Sequence, residues 1–152
     1  MKKLSLLLNV VIAVFLVSCN GQSKQTGEVA FSIDENIAFA DNQYGLMLAM
    51  LEDSGKTLNP KSFINGKMKF IPPQEWTSGF FPGSLWYLYE LTGDEKWIEP
   101  ATIQTEALDT IQYFTNNHDV GFMIGCSYGN ALRLTGKEEY KEIIIQAASS
   151  LS

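Results

Sequence analysis

The sequence predicts an all-α protein in which pairs of helices repeat along the chain. Two observations support this fold class. First, the stretch Trp76–Trp97 is followed by a second stretch, His118–Tyr140, with the same order of glycine, apolar and aromatic residues. Second, helices that are apolar on nearly all sides alternate with helices that are apolar on one face. Such alternation indicates an inner layer of buried helices wrapped by an outer layer.

The two stretches align with a period of about 42–43 residues, which is typical of a repeated helical hairpin. The matched positions share a glycine or an aromatic side chain, namely Gly79 with Gly121, Gly83 with Gly125, Gly93 with Gly136, and Trp97 with Tyr140. An open superhelical stack, such as a tetratricopeptide array, is the competing architecture. It fits less well, because both helices of each hairpin in such arrays are usually amphipathic.

Composition narrows the function classes. The chain has 152 residues, of which 45% are hydrophobic and 18% charged, as in an ordinary globular domain. Its net charge of −6 argues against a nucleic-acid-binding protein, which needs a basic surface. The single histidine excludes a site with several histidine ligands within this chain. We expect neither a metal nor another cofactor.

The N-terminus predicts a bacterial lipoprotein. A basic start precedes a short apolar run, and the run ends in Leu16-Val17-Ser18-Cys19, which resembles a lipobox. Residues 1–18 are predicted to be a signal peptide and 19–33 a polar tether, with Cys19 lipidated. Cleavage without lipidation is the alternative. No acidic run follows Cys19, so we expect an anchor on the periplasmic side of the envelope. Cys126 is then left without a disulfide partner, as a small buried thiol.

Residues 34–152 are predicted to form the helical domain. Its first helix is capped by Asp34 or Asn36 and stops at Ser54-Gly55, and residues 56–75 are expected to be irregular. The four later helices are predicted near Gly79 or Pro82 to Leu91, Glu95 to Phe114, Asp119 to Leu134, and from Lys137 onward. Five helices cannot close a ring of hairpins, and the chain stops inside an amphipathic helix. We therefore expect the N-terminal part of a longer protein or the product of a truncated gene.

The repeat register also selects candidate site residues. In the repeat alignment, Trp76 corresponds to His118 and Thr77 to Asp119, and each pair lies just before the start of a helix. These side chains should therefore line one rim of the stacked helical hairpins. An aspartate there is most often a helix cap, but its carboxylate could orient water or stabilise positive charge. Trp76 and Phe80 could belong to the core or form a platform for a sugar ring. His118 could be merely solvated or could hydrogen-bond a ligand.

The segments 76–83, 91–94 and 118–122 closely resemble the unsaturated glucuronyl hydrolases, glycoside hydrolase family 88. The related unsaturated rhamnogalacturonyl hydrolases are the nearest alternative. The resemblance covers about residues 35–152 and implies an (α/α)6 barrel, of which this chain would hold a part. It also implies an enzyme that hydrates the C4=C5 double bond of a terminal unsaturated uronic acid, on glycosaminoglycan oligosaccharides left by polysaccharide lyases. No metal is required.

The same resemblance suggests roles for individual residues. Asp119 matches the first of two active-site aspartates, and His118, Trp76 and Phe80 match substrate-binding positions. The second aspartate is expected beyond Ser152, so we expect the chain as given to hold half a site and to be inactive alone. A non-catalytic carbohydrate-binding or scaffold lipoprotein built from helical hairpins is the alternative from another class.

Overall fold

The computed structural model describes residues 32–54 and 59–152, and Ser32–Ser152 forms one compact unit. The predicted signal peptide, the lipidation site Cys19 and most of the tether lie outside the described residues. In chain order, the helices and strands are α1 (Ile33–Ser54), β1 (Asn59–Ile64), β2 (Lys67–Ile71), α2 (Phe80–Thr92), α3 (Ile98–Glu106), α4 (Val120–Cys126), α5 (Tyr128–Thr135) and α6 (Glu138–Ser150). None of the described helices is long and apolar enough to cross a membrane.

Helix α1 begins earlier than its predicted caps. Its first residue is Ile33, and the hydroxyl of Ser32 accepts a hydrogen bond from the backbone N–H of Glu35 at 3.3 Å. The side-chain amide of Asn36 donates to the carbonyl of Ser32. Ser32 therefore occupies the capping position predicted for Asp34 or Asn36, because a serine in front of two acidic residues satisfies the first free N–H groups equally well.

The stretch predicted to be irregular contains an antiparallel β-hairpin, so this part of the prediction is wrong. Ile64 pairs with Lys67 across the turn, and Asn59 pairs with Ile71 at the far end. Asn65 and Gly66 have φ angles of 50° and 76°, the left-handed values that a tight two-residue turn requires. The register shifts between Pro60 and Ser62, because proline has no N–H to donate to the ladder.

The predicted third helix is divided into three segments. A 3-10 turn at Glu95–Trp97 leads into α3, and a second one at Asp109–Tyr113 follows it. One face of these segments is apolar and turned to the core, since Trp97, Ala101, Leu108 and Ile111 are all buried. Gln112 is also buried. Its side-chain amide donates to both the carbonyl and the carboxylate of Asp109, which removes the cost of burial.

The predicted fourth helix is interrupted at Ser127, whose φ and ψ of −89° and −81° separate α4 from α5. Side chains bind carbonyls next to this break. The Ser127 hydroxyl donates to the carbonyl of Met123 at 2.6 Å, and the amide of Asn130 donates to the carbonyl of Cys126 at 2.9 Å. A serine that bonds back to the preceding turn commonly bends a helix.

The repeat predicted from the sequence is confirmed by the backbone. Gly93 and Gly136 end α2 and α5 with nearly equal left-handed φ angles of 68° and 69°. Each donates its N–H to the carbonyl four residues before it. Trp97 and Tyr140, the aromatic residues matched by the repeat, are both buried in the core.

The buried core lies between the inner helices α2, α4 and α5 and the outer segments. Trp86 is completely buried, and its indole N–H donates to the hydroxyl of Thr105 in α3 at 2.9 Å. Trp97 donates in the same way to the carboxylate of Asp41 in α1 at 3.0 Å. Each large aromatic side chain therefore joins two helices by packing and by one hydrogen bond, as buried tryptophans require.

Candidate active site

An aromatic pair stands at the entry to α2. Trp76 and Phe80 meet edge to face, with ring centroids 6.0 Å apart and planes at 85°. Both side chains remain accessible, since Trp76 is 48% and Phe80 43% exposed. These exposures show that neither ring is buried in the core that the described residues form. Two accessible, mutually supported aromatic rings can stack on the apolar face of a sugar.

Asp119 occupies the position directly before α4, but it does not cap the helix as the sequence suggested. Its side chain accepts no hydrogen bond from the first helical amides. Instead, the side-chain oxygen of Asn117 accepts the backbone N–H of Asp119 at 3.0 Å. This turn fixes the backbone at Asp119 and leaves both carboxylate oxygens free of the helix amides. The side chain is 23% exposed, so the carboxylate is partly buried but still accessible to a ligand.

His118 lies beside this carboxylate. Its Nε2 atom is 3.4 Å from Oδ1 of Asp119, and the imidazole is 92% exposed. The distance is too long for a strong hydrogen bond, although a protonated imidazole would still attract the carboxylate. An imidazole so exposed can turn toward a ligand without breaking any packing contact.

Close packing aligns the two helices that carry these residues. A methyl group added at Gly79 would overlap the backbone carbonyl of Met123, and one added at Gly83 would lie 2.8 Å from the carbonyl oxygen of Cys126. Further along, Arg133 of α5 forms a bidentate ion pair with Glu90 of α2 at 2.6 and 2.7 Å.

These three contacts advance along both segments in the same direction, so α2 runs parallel to α4 and α5. The start of α2, with Trp76 and Phe80, and the start of α4, with His118 and Asp119, therefore lie at the same end of the inner layer. The structure thus places the four predicted residues on one rim.

A cavity next to Phe80 was not predicted from the sequence. It lies between α1, the hairpin and the start of α2, and its volume is about 420 Å³. Its lining includes Tyr44, Lys61, Met68 and Thr77 in addition to Phe80. The hairpin residues were missed because Lys56–Glu75 was predicted to be irregular. The proline and Asn-Gly signals in that segment were the only indication that it could approach a site.

Cys126 is half-buried, whereas the sequence predicted a buried thiol. Partial burial raises the pKa of this thiol, which disfavours the nucleophilic thiolate. Within residues 32–54 and 59–152, Cys126 is the free cysteine, and no group of histidine, cysteine and carboxylate side chains is arranged to hold a metal ion.

The sequence is similar to curated proteins but matches no protein-family profile. The unsaturated glucuronyl hydrolase of Formosa agariphila is 30% identical over 153 residues, which is 99% of this chain and 38% of the relative. The unsaturated chondroitin disaccharide hydrolase of Streptococcus agalactiae is 32% identical over 97 residues, covering 60% of this chain and 24% of that relative.

A solved structure supports the same relationship. The crystal structure of an unsaturated glucuronyl hydrolase specific for heparin superposes with a TM-score of 0.67 at 41% identity, covering 78% of this chain and 32% of that one. The chain therefore spans about a third of the length of the proteins it matches. Both the predicted resemblance and the predicted fold class are confirmed. The chain is a homologue of the unsaturated glucuronyl hydrolases, and its helical hairpins form part of an (α/α)6 barrel.

Proposed function

We propose that the protein containing this chain is an unsaturated glucuronyl hydrolase. It would release the terminal unsaturated uronic acid from glycosaminoglycan oligosaccharides produced by polysaccharide lyases. The observation that carries this proposal is the shared rim, where an accessible aromatic pair and an accessible carboxylate lie at the starts of neighbouring parallel helices. The homology to enzymes named for this activity supplies the reaction.

The reaction follows from the chemistry of the substrate. A proton adds to C4 of the C4=C5 enol ether, and water adds to C5 after losing a proton, which gives a hemiketal. The hemiketal opens as the bond between C5 and the ring oxygen breaks, leaving a ketone at C5 and a hemiacetal at C1. Collapse of the hemiacetal gives an aldehyde at C1 and releases the next sugar as an alcohol. One water molecule is consumed.

In this scheme Asp119 is the catalytic residue contributed by the chain. Positive charge develops at C5 when C4 is protonated, and an accessible carboxylate can stabilise that charge or orient the attacking water. The fixed backbone at Asp119 supports such a role, because the carboxylate then needs little reorganisation. Trp76 and Phe80 would hold the unsaturated ring, and His118 would hydrogen-bond its polar groups.

The location of the protein is a second part of the proposal. We infer that residues 1–18 are removed and that Cys19 carries the lipid that anchors the protein in the bacterial envelope, on its periplasmic side. The lipobox-like segment before Cys19 supports this. A lipid anchor would keep the enzyme beside the oligosaccharides that enter the envelope.

Turnover tests the proposed activity. The complete product of the gene that encodes this chain would be incubated with an unsaturated chondroitin disaccharide while the absorbance of the enol ether is recorded. We expect the absorbance to fall and one free hexosamine to appear for each double bond lost. A correctly folded protein that binds the disaccharide but leaves its absorbance unchanged would instead indicate the non-catalytic carbohydrate-binding alternative.

A further inference from the structure

Asn117 fills the helix-capping role that the sequence assigned to Asp119. Its side-chain oxygen accepts the backbone N–H of Asp119 at 3.0 Å, and its backbone carbonyl accepts the N–H of Val120 at 3.3 Å. An asparagine that bonds the backbone two residues further along the chain commonly begins a turn or a helix. These two N–H groups are therefore satisfied by Asn117 alone, and the carboxylate of Asp119 takes no part in the cap.

The backbone of Asp119 is already helical. Its φ and ψ angles are −71° and −8°, whereas a capping residue normally has an extended backbone. Its carbonyl accepts the N–H groups of Phe122 at 2.9 Å and of Met123 at 3.0 Å. Asp119 thus belongs to the first turn, and in this conformation its side chain makes no bond to the helix amides.

One amide of this first turn would compete for the carboxylate if the turn were lost. Among the described residues, no backbone carbonyl accepts the N–H of Gly121, which lies two residues beyond Asp119. That spacing is one at which an aspartate caps a helix. Without its bond to Asn117, the backbone of Asp119 can become extended and its carboxylate can bind this amide. A carboxylate held by helix amides is no longer directed at a ligand.

We propose that Asn117 is a positioning residue for the reaction. By capping α4 in place of Asp119, it holds the carboxylate of Asp119 in the orientation that acts on the substrate. The inference rests on the proposed function, because that function gives the carboxylate its substrate. Asn117 touches no reacting atom in this scheme, and its half-buried side chain acts through the backbone of Asp119.

Replacement of Asn117 by alanine removes the acceptor and tests the proposal. In the complete gene product, kcat and KM would be measured on an unsaturated chondroitin disaccharide. We expect Asn117→Ala to lower kcat about tenfold or more and to change KM less than about twofold, because a small displacement of a reacting group affects the chemical step more than binding. Asn117→Ser should return kcat to within about threefold of the wild type, because its hydroxyl oxygen can accept the same bond.

Asn116→Ala is the matched control. It makes the same chemical change one residue earlier, at an exposed side chain that forms no hydrogen bond within the described part of the chain. Asn117→Gly serves if Asn117→Ala does not fold, because glycine is well tolerated at a helix start but offers no side-chain acceptor. Melting temperatures identify the variants that are folded.

Three results would overturn the proposal. The first is wild-type kcat in a folded variant that lacks the acceptor, and the second is an equal loss of kcat in Asn116→Ala. The third is an Asn117→Ser protein as impaired as Asn117→Ala, since the acceptor oxygen would then not matter. A purely structural cap would lower the melting temperature without separating kcat from KM.

Failure of the proposed function is distinguishable from failure of the positioning role. If the wild type turns over no unsaturated disaccharide, the proposed activity is wrong, and crystal structures of the wild type and of Asn117→Ala decide the role of Asn117. A carboxylate of Asp119 that turns onto the N–H of Gly121 in the variant would support positioning by Asn117. A carboxylate that keeps its place would overturn it.

Discussion

Asp119 and Trp76 derive their positions from the residues around them. The side chain of Asn117 fixes the turn that presents the carboxylate of Asp119, and Phe80 supports the indole of Trp76 edge to face. In each case a neighbour reduces the motion of the functional group while leaving it accessible. Such fixed but accessible groups are suited to a ligand that brings its own rigid ring.

Removal of the indole should weaken substrate binding more than it affects the chemical step. We expect Trp76→Ala to raise KM for the unsaturated disaccharide about tenfold, which corresponds to about 1.4 kcal/mol of lost stacking. Steady-state kinetics on the complete gene product measures this effect. Tyr113→Ala is the matched control, since Tyr113 is a highly exposed aromatic residue of the outer layer. Equal KM values for Trp76→Ala and the wild type would exclude the platform.

At the scale of helices and strands, close packing of α2 on α4 sets the rim. Gly83 and Gly125 are equivalent in the repeat but have different surroundings. A methyl group at Gly83 meets the backbone carbonyl of Cys126, whereas one at Gly125 meets nothing within 4 Å. The two glycines therefore occupy equivalent positions in the repeat, but only Gly83 closely approaches a neighbouring backbone.

This difference predicts opposite effects on stability. Gly83→Ala should lower the free energy of unfolding by about 1–3 kcal/mol, because backbone atoms cannot move aside as a flexible side chain can. Gly125→Ala should raise it by about 0.5–1 kcal/mol, because alanine is the better helix former and the space is open. Urea unfolding of both variants measures these changes. Equal effects in the two variants would show that α2 and α4 do not approach as closely as described.

The same scale shows what a sequence can predict. The hairpin period and the stops at Gly93 and Gly136 follow from local patterns, and the structure confirms them. The break at Ser127 was not predicted, although the hydroxyl of Ser127 bonds back to the carbonyl of Met123 in the preceding turn. The β-hairpin escaped prediction because Pro60 and the prolines that follow β2 indicate loop, and because only one residue of each strand is buried.

The candidate site, too, was only partly predictable from the sequence. Its rim residues could be predicted because the repeat places them at equivalent helix starts. The cavity could not, because α1, the hairpin and α2 enclose it only after all three have packed.

For the molecule as a whole, the described residues form part of a barrel, and the N-terminal segment would determine where that barrel works. Cys19→Ser should move the complete gene product from the membrane fraction to the soluble fraction of a bacterial host, because the thioether-linked lipid can no longer form. Ser18→Thr, which keeps the cysteine, is the control. Immunoblots of fractionated cells give the distribution. Membrane retention of the Cys19→Ser protein would contradict a lipid anchor at this position.

The central claim is that the carboxylate of Asp119 acts on an unsaturated uronate held on the shared rim. Its most direct test is turnover of an unsaturated chondroitin disaccharide by the complete gene product and by its Asp119→Asn variant. The exposed Asp34→Asn change serves as control. We predict that Asp119→Asn lowers kcat by about 100-fold or more, with similar KM and melting temperature. Wild-type kcat in the folded Asp119→Asn protein would contradict the claim.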